Sequence, residues 1–80
     1  MNEDFTKLCA IIADVMGVDA SEIQKETTFE HDLGADSLDI ASIVMGIEEE
    51  YDIRVDFEVA SKVTTVGEAL DLIRSATGEA

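Results

Sequence analysis

The sequence predicts an all-α domain: a small bundle of three main helices and one short helix, with a long loop between the first and second. Three observations carry this expectation. Apolar residues recur at three- and four-residue steps in three separate stretches. Each stretch opens or closes on a residue suited to a helix end. Hydrophobic types make up 46% of the 80 residues, enough for a thin core without a metal or disulfide. A chain of this length makes one domain, 1–80.

In the first stretch Phe5, Leu8, Cys9, Ile12, Val15 and Met16 line one helical face. Gly17 follows as a stop, so a helix is expected from about Glu3 to Met16. Val18 to Ala35 is a long connection rich in turn and cap formers: Asp19, Ser21, Thr27, Thr28 and Gly34. Ile23, Phe29 and Leu33 fit neither a strand nor one helical face, so they are expected to pin the loop onto the core. The second helix spans Asp36 to about Tyr51, with Asp36 as cap and Asp39 making a box-like start. Its inward stripe is read as Ile40, Val44, Ile47 and Tyr51, and a second stripe as Leu38, Ser42, Met45 and Glu49. Asp52 to Val55 reads as extended chain or turn, and Asp56 to Lys62 as a short helix carrying Phe57, Val59 and Ala60. Thr65 and Glu68 form a Thr-x-x-Glu start for a last helix that buries Val66, Ala69, Leu70 and Ile73. Ser75 to Ala80 reads as a frayed tail.

Charge narrows the function. Nineteen Asp and Glu against five Lys and Arg give a formal net charge of −14. Such a surface repels nucleic-acid phosphates and anionic lipid heads, and it attracts proteins with basic patches. Its self-repulsion favours a monomer. No stretch approaches the roughly 20 apolar residues of a membrane span, and the acidic start Met1-Asn2-Glu3-Asp4 lacks the form of a secretory signal. A lone cysteine, Cys9, rules out an internal disulfide and fits a reducing compartment, so a cytoplasmic location is expected.

Ser37 is the residue with chemical promise. It stands where a Gly-containing loop meets the start of an amphipathic helix. Backbone N–H groups there are unpaired and the helix dipole favours an anion, so a phosphodiester on Ser37 would be welcome. Asp36 and Asp39 oppose a tight grip on it. By position alone, an ordinary helix cap at Ser37 or Asp36 is the commoner explanation.

The run Asp32-Leu33-Gly34-Ala35-Asp36-Ser37-Leu38-Asp39 resembles the prosthetic-group motif of acyl carrier proteins. Val44-Met45 and Glu48-Glu49-Glu50-Tyr51 resemble the rest of that family's second helix, and Lys62-Val63-Thr64-Thr65-Val66 the lead-in to its last. The resemblance covers nearly the whole chain. It implies that a phosphopantetheinyl transferase moves phosphopantetheine from coenzyme A onto Ser37. The arm's thiol would carry acyl groups as thioesters to the enzymes of fatty-acid or related synthesis. It further implies that Asp36, Asp39, Glu48, Glu49, Asp52 and Asp56 meet Lys and Arg on those enzymes, with Leu38 and Met45 as the apolar contact.

Several positions depart from the family pattern. Ser42 replaces a common acid, Gly46 a usual Ala, Asp56 a common Pro, and Phe57 and Val59 usual acids. These changes suggest altered partners or cargo, as in a specialised or polyketide-type carrier. The Gly-Gly that precedes the serine in peptidyl carriers is absent. A serine hydrolase is disfavoured, because Ala35 and Asp39 replace the glycines of a nucleophile elbow and His31 is the sole imidazole. A calcium sensor is disfavoured too: in a loop starting at Asp32, Gly34 replaces the second ligand and Ile43 the closing Glu. Divalent-cation binding by clustered carboxylates is kept as the reading from another class.

Overall fold

The computed structural model describes residues 2–78, and these form an all-α bundle. Helix α1 spans Asn2–Met16, α2 Ser37–Tyr51, α3 Phe57–Ser61 and α4 Val66–Thr77. A single 3₁₀ turn, Ala20–Glu22, interrupts the long connection, which the periodicity did not foretell. Asp19 caps this turn, accepting from the Ser21 N–H at 3.0 Å and the Ser21 hydroxyl at 2.9 Å.

Each helix begins and ends where its residues require. Gly17, at φ +70°, closes α1 by donating its N–H to the Ala13 carbonyl at 2.8 Å, in a backbone region few other residues adopt cheaply. Asp56 caps α3 through the Glu58 N–H, and α3 stops at Lys62. Thr65 caps α4, accepting from the Glu68 N–H at 3.2 Å. The Glu68 carboxylate reaches one residue further back than a simple box, to the Thr64 N–H at 2.8 Å. The tail does not fray from Ser75: α4 continues to Thr77. Gly78, at φ +82°, ends it, with its N–H on the Arg74 and Ser75 carbonyls. The rest of that expected tail, Glu79 and Ala80, lies outside the described residues.

Leu8, Cys9 and Ile12 of α1 pack with Ile43 and Ile47 of α2 and with Val66, Ala69, Leu70 and Ile73 of α4. The α4 stripe is the one the sequence pattern named. In α2 the deepest residues are Ile43, Val44 and Ile47, while Ile40 and Tyr51 are half-buried. The buried stripe is therefore turned toward Ile43, because α2 packs between α1 and the short α3 and buries a broader sector than one row. Tyr51 serves the α1–α2 seam instead. Its hydroxyl donates to the Asp4 carbonyl at 3.2 Å, and the Lys7 ammonium lies 5.8 Å from its ring centre.

Gly46 sits on that seam. A Cβ there would stand 2.8 Å from Cγ2 of Ile11. That methyl is fixed to a β-branched carbon with little rotamer freedom in a helix. The helix penalty of Gly46, about 1 kcal/mol relative to Ala, is thus the consequence of close helix approach. Gly46→Ala is expected to yield no net gain in urea unfolding, because overpacking costs about 1–3 kcal/mol. In an Ile11→Ala background the same change should recover the propensity gain; equal effects in both backgrounds would refute the seam argument.

Candidate functional site

The segment before α2 is built to hold one helix start in place. Phe29 is buried, 4% exposed, and its N–H donates to the Thr64 carbonyl at 3.1 Å. Thr28 and Thr65 form an isolated antiparallel bridge, and the Val66 N–H donates to the Thr27 carbonyl at 2.9 Å. The Gly67 N–H reaches the Lys25 carbonyl at 2.9 Å, and a Cβ at Gly67 would crowd that oxygen at 3.2 Å. The loop is therefore stitched by backbone to the start of α4. Ile23 and Phe29 are buried and Leu33 half-buried, as the sequence reading expected.

Thr28 and Asp32 then lock the turn. The Thr28 N–H donates to Oδ2 of Asp32 at 2.9 Å, and the Asp32 N–H to Oγ1 of Thr28 at 3.0 Å. These bonds, led by the backbone one, hold the Asp32 carboxyl below its ordinary range, with a smaller contribution from His31 beside it. Gly34 turns the chain at φ +68°, and the buried Ala35 donates its N–H to the Phe29 carbonyl at 2.8 Å.

The cap follows directly. Asp36, in extended backbone, accepts from the Asp39 N–H at 3.0 Å, and Asp39 accepts in return from the Asp36 N–H at 3.2 Å. Capping is thus done entirely by the two aspartates. Ser37, the first residue of α2, is exposed, and among the described residues nothing hydrogen-bonds its hydroxyl. The explanation of Ser37 as a cap is removed by this arrangement. Beside it opens a cleft of about 400 Å³ lined by Glu30, Ala35, Asp36, Ser37, Ile40, Phe57 and Ser61. Sequence reasoning did not foresee that Phe57 and Ser61 would come beside Ser37, and no local signal could have shown it. Their approach depends on how α3 folds back. Behind Ile40 lies an apolar cavity of about 30 Å³ among Phe29, Ile43, Val44, Ile47 and Ala60, room for about one water.

The other site residues fall into distinct settings. Leu38 and Met45 are exposed, 77% and 60%. Glu49 is exposed. Glu48 is half-buried and accepts from the Val55 N–H at 2.7 Å, so its carboxylate holds the α2–α3 connection. Asp52 ends α2 in left-handed backbone at φ +54°, and Asp56 caps α3. Burial pushes the Cys9 thiol up, which makes it a poor nucleophile. Among the described residues, no group of three or more His, Cys, Asp or Glu is placed to hold a metal, and no helix is long and apolar enough to cross a membrane.

Residues 6–73 match the phosphopantetheine attachment site family. An acyl carrier protein of Clostridium acetobutylicum is 49% identical over 75 residues, which is 94% of this chain and 97% of the relative. One from Picosynechococcus sp. is 48% identical over 79 residues, 98% of each chain. The crystal structure of an acyl carrier protein from Thermotoga maritima superposes with a TM-score of 0.83 at 31% identity, covering 98% of this chain and 91% of that one.

The fold and the matched region define a phosphopantetheine-bearing carrier, a class that holds its cargo for other proteins and is not an enzyme. Within that class the chain belongs to the acyl carrier proteins. Its cofactor is phosphopantetheine, and the family implies a phosphopantetheinyl transferase and acyl-processing enzymes as partners.

The Thr28–Asp32 lock has a pH signature. A carboxyl whose folded pKa is depressed adds stability above its unfolded pKa, and loses it as pH falls through the folded one. Asp32→Ala should therefore lower Tm at pH 7, and the gap to the parent should close below about pH 4. A gap that stayed constant down to pH 3 in thermal unfolding would show that the lock does not depend on the charge.

Proposed function

We propose that this chain, as a single carrier domain over 1–80, bears phosphopantetheine on Ser37. On that arm it delivers acyl thioesters to the enzymes of fatty-acid biosynthesis. One observation supports the site above all: the Ser37 hydroxyl is exposed at a helix start whose capping is already done by Asp36 and Asp39. The residues fit the group. The unpaired N–H groups of the first turn and the helix dipole favour a phosphodiester, while the two nearby carboxylates keep it in water. The bound arm supplies a terminal thiol, on which acyl groups ride as thioesters.

Partner recognition is assigned to α2 and the turn after it. Leu38 and Met45 offer an apolar contact flanked by Asp36, Asp39, Glu49, Asp52 and Asp56, which suits enzymes with basic patches. Glu48 divides its role, since its carboxylate also holds Val55. Three acids, Glu48 to Glu50, crowd the C-terminal end of α2, where the helix dipole disfavours them by about 0.3–1 kcal/mol each. Glu48 recovers this through Val55, and Glu50 through Lys7 at 3.8 Å. Glu49 lacks a comparable compensation among the described residues, which argues that its charge serves a partner. The net charge of −14 supports a monomer, and the lone buried cysteine a cytoplasmic setting.

Phe57 and Val59 favour a second reading, a specialised or polyketide-type carrier. Both are 45% exposed on α3, where they give an otherwise acidic surface an apolar character. The acidic α2 and the Gly-Ala-Asp-Ser-Leu-Asp run favour the fatty-acid type. Full activity with all standard fatty-acid synthesis enzymes would remove the reason for the second reading.

Incubation with coenzyme A and a phosphopantetheinyl transferase should add one arm to the parent by intact mass, and none to Ser37→Ala. An arm on Ser37→Ala would place the site elsewhere. Glu49→Gln should raise Tm slightly, by relieving its repulsion from the C-terminal end of the helix dipole, and slow association with the transferase, more so at low salt. Glu48→Ala should lower stability by about 1 kcal/mol through the lost Val55 bond.

A further inference from the structure

We infer that Phe57 is a positioning residue for the arm: its ring forms the apolar wall of the cleft beside Ser37, against which the dimethyl-bearing segment next to the phosphate rests. This deepens the assignment of the arm to Ser37 and rests on it. Ser37 itself lines the cleft, so a group attached there starts beside it. At about 400 Å³ the cleft is within the size range of small-molecule sites. The apolar cavity behind Ile40, at about 30 Å³, has no room for the arm unless side chains move. A hollow of about 100 Å³ lined by Phe29, Ser61 and Thr64 adjoins it but is not lined by Ser37, so the outer cleft is the space at hand.

Its lining matches the chemistry of that segment. Just past the phosphate the arm carries a carbon with two methyl groups, then a hydroxyl and an amide. Phe57, Ile40 and Ala35 supply apolar surface, and Ser61 supplies a hydroxyl. Phe57 and Ser61 are four residues apart on one helix, so both face the cleft. The helix that carries the ring is held in place: Asp56 caps it through the Glu58 N–H at 2.9 Å, and Ala60 is buried beneath it. Yet Phe57 is 45% exposed, so its ring is left half in water at the edge of the cleft. Val59, equally exposed, does not line the cleft, which separates the two apolar residues of α3 by role.

The test uses the full chain loaded from coenzyme A, with loading verified by intact mass. In the loaded parent, the arm's two methyl resonances should shift upfield from those of free coenzyme A, and they should show NOEs to the Phe57 ring. Phe57→Leu keeps an apolar wall without a ring current: the NOEs should persist, now to leucine methyls, and the upfield shift should vanish. Phe57→Asp should lose both, with an unchanged far-UV spectrum. Loaded parent protein whose methyls resonate as in free coenzyme A, with no NOE to Phe57, would overturn the inference and leave the carrier assignment intact. Failure of Ser37 to load would overturn both.

Discussion

A long connection can present a helix start only if its own path is held from both sides. Here the hold is the docking of Phe29 and its neighbours against the start of α4. Phe29 is buried while its N–H is taken by Thr64, and Thr27 and Lys25 accept from Val66 and Gly67. Without those bonds, the backbone groups around a buried Phe29 would be left unpaired, at a cost comparable to a lost hydrogen bond for each. The turn locked by Thr28 and Asp32 and reversed at Gly34 then has one place to end, at Ala35 against the Phe29 carbonyl. The first turn of α2, and with it Ser37, is positioned by this chain of contacts.

That positioning separates two demands that conflict at most helix starts. A cap must be engaged with backbone, whereas a hydroxyl open to modification must be free. The reciprocal Asp36–Asp39 pair meets the first demand, and Ser37, one residue on, meets the second. The same pair leaves two carboxylates beside the exposed serine, so one arrangement ends the loop, caps the helix and keeps the hydroxyl unengaged. The close α1–α2 seam at Gly46 and Ile11 and the Glu48–Val55 bond hold the other end of α2 and bring α3 to the edge of the cleft.

Much of this was legible in the residues themselves. The helices, their caps at Asp36 and Thr65, the α4 stripe and the exposure of Leu38 and Met45 follow from patterns a few residues long. Such patterns work because the helix repeat and unpaired terminal N–H groups are local properties. The run through Ser37 carried the family resemblance for the same reason. Reading failed where a local pattern had more than one solution. Ile40 and Tyr51 satisfy the stripe on α2 as well as Ile43 does, and only packing against α1 and α3 selects among them. Ser75 to Thr77 are helical rather than frayed because the stop is Gly78, whose left-handed backbone ends α4 there.

By itself, then, the chain's order of residues determined an acidic bundle of four helices with a serine at the head of α2, since composition, spacing and capping chemistry all act over short range, and the run through Ser37 carried the resemblance to the carrier family. Tertiary structure alone decided that Phe29 and its neighbours dock against the start of α4, that α2 turns Ile43 inward, and that Phe57 and Ser61 stand beside Ser37. Those outcomes depend on segments distant in sequence competing for the same space and the same hydrogen bonds, and that competition is resolved only when the bundle closes.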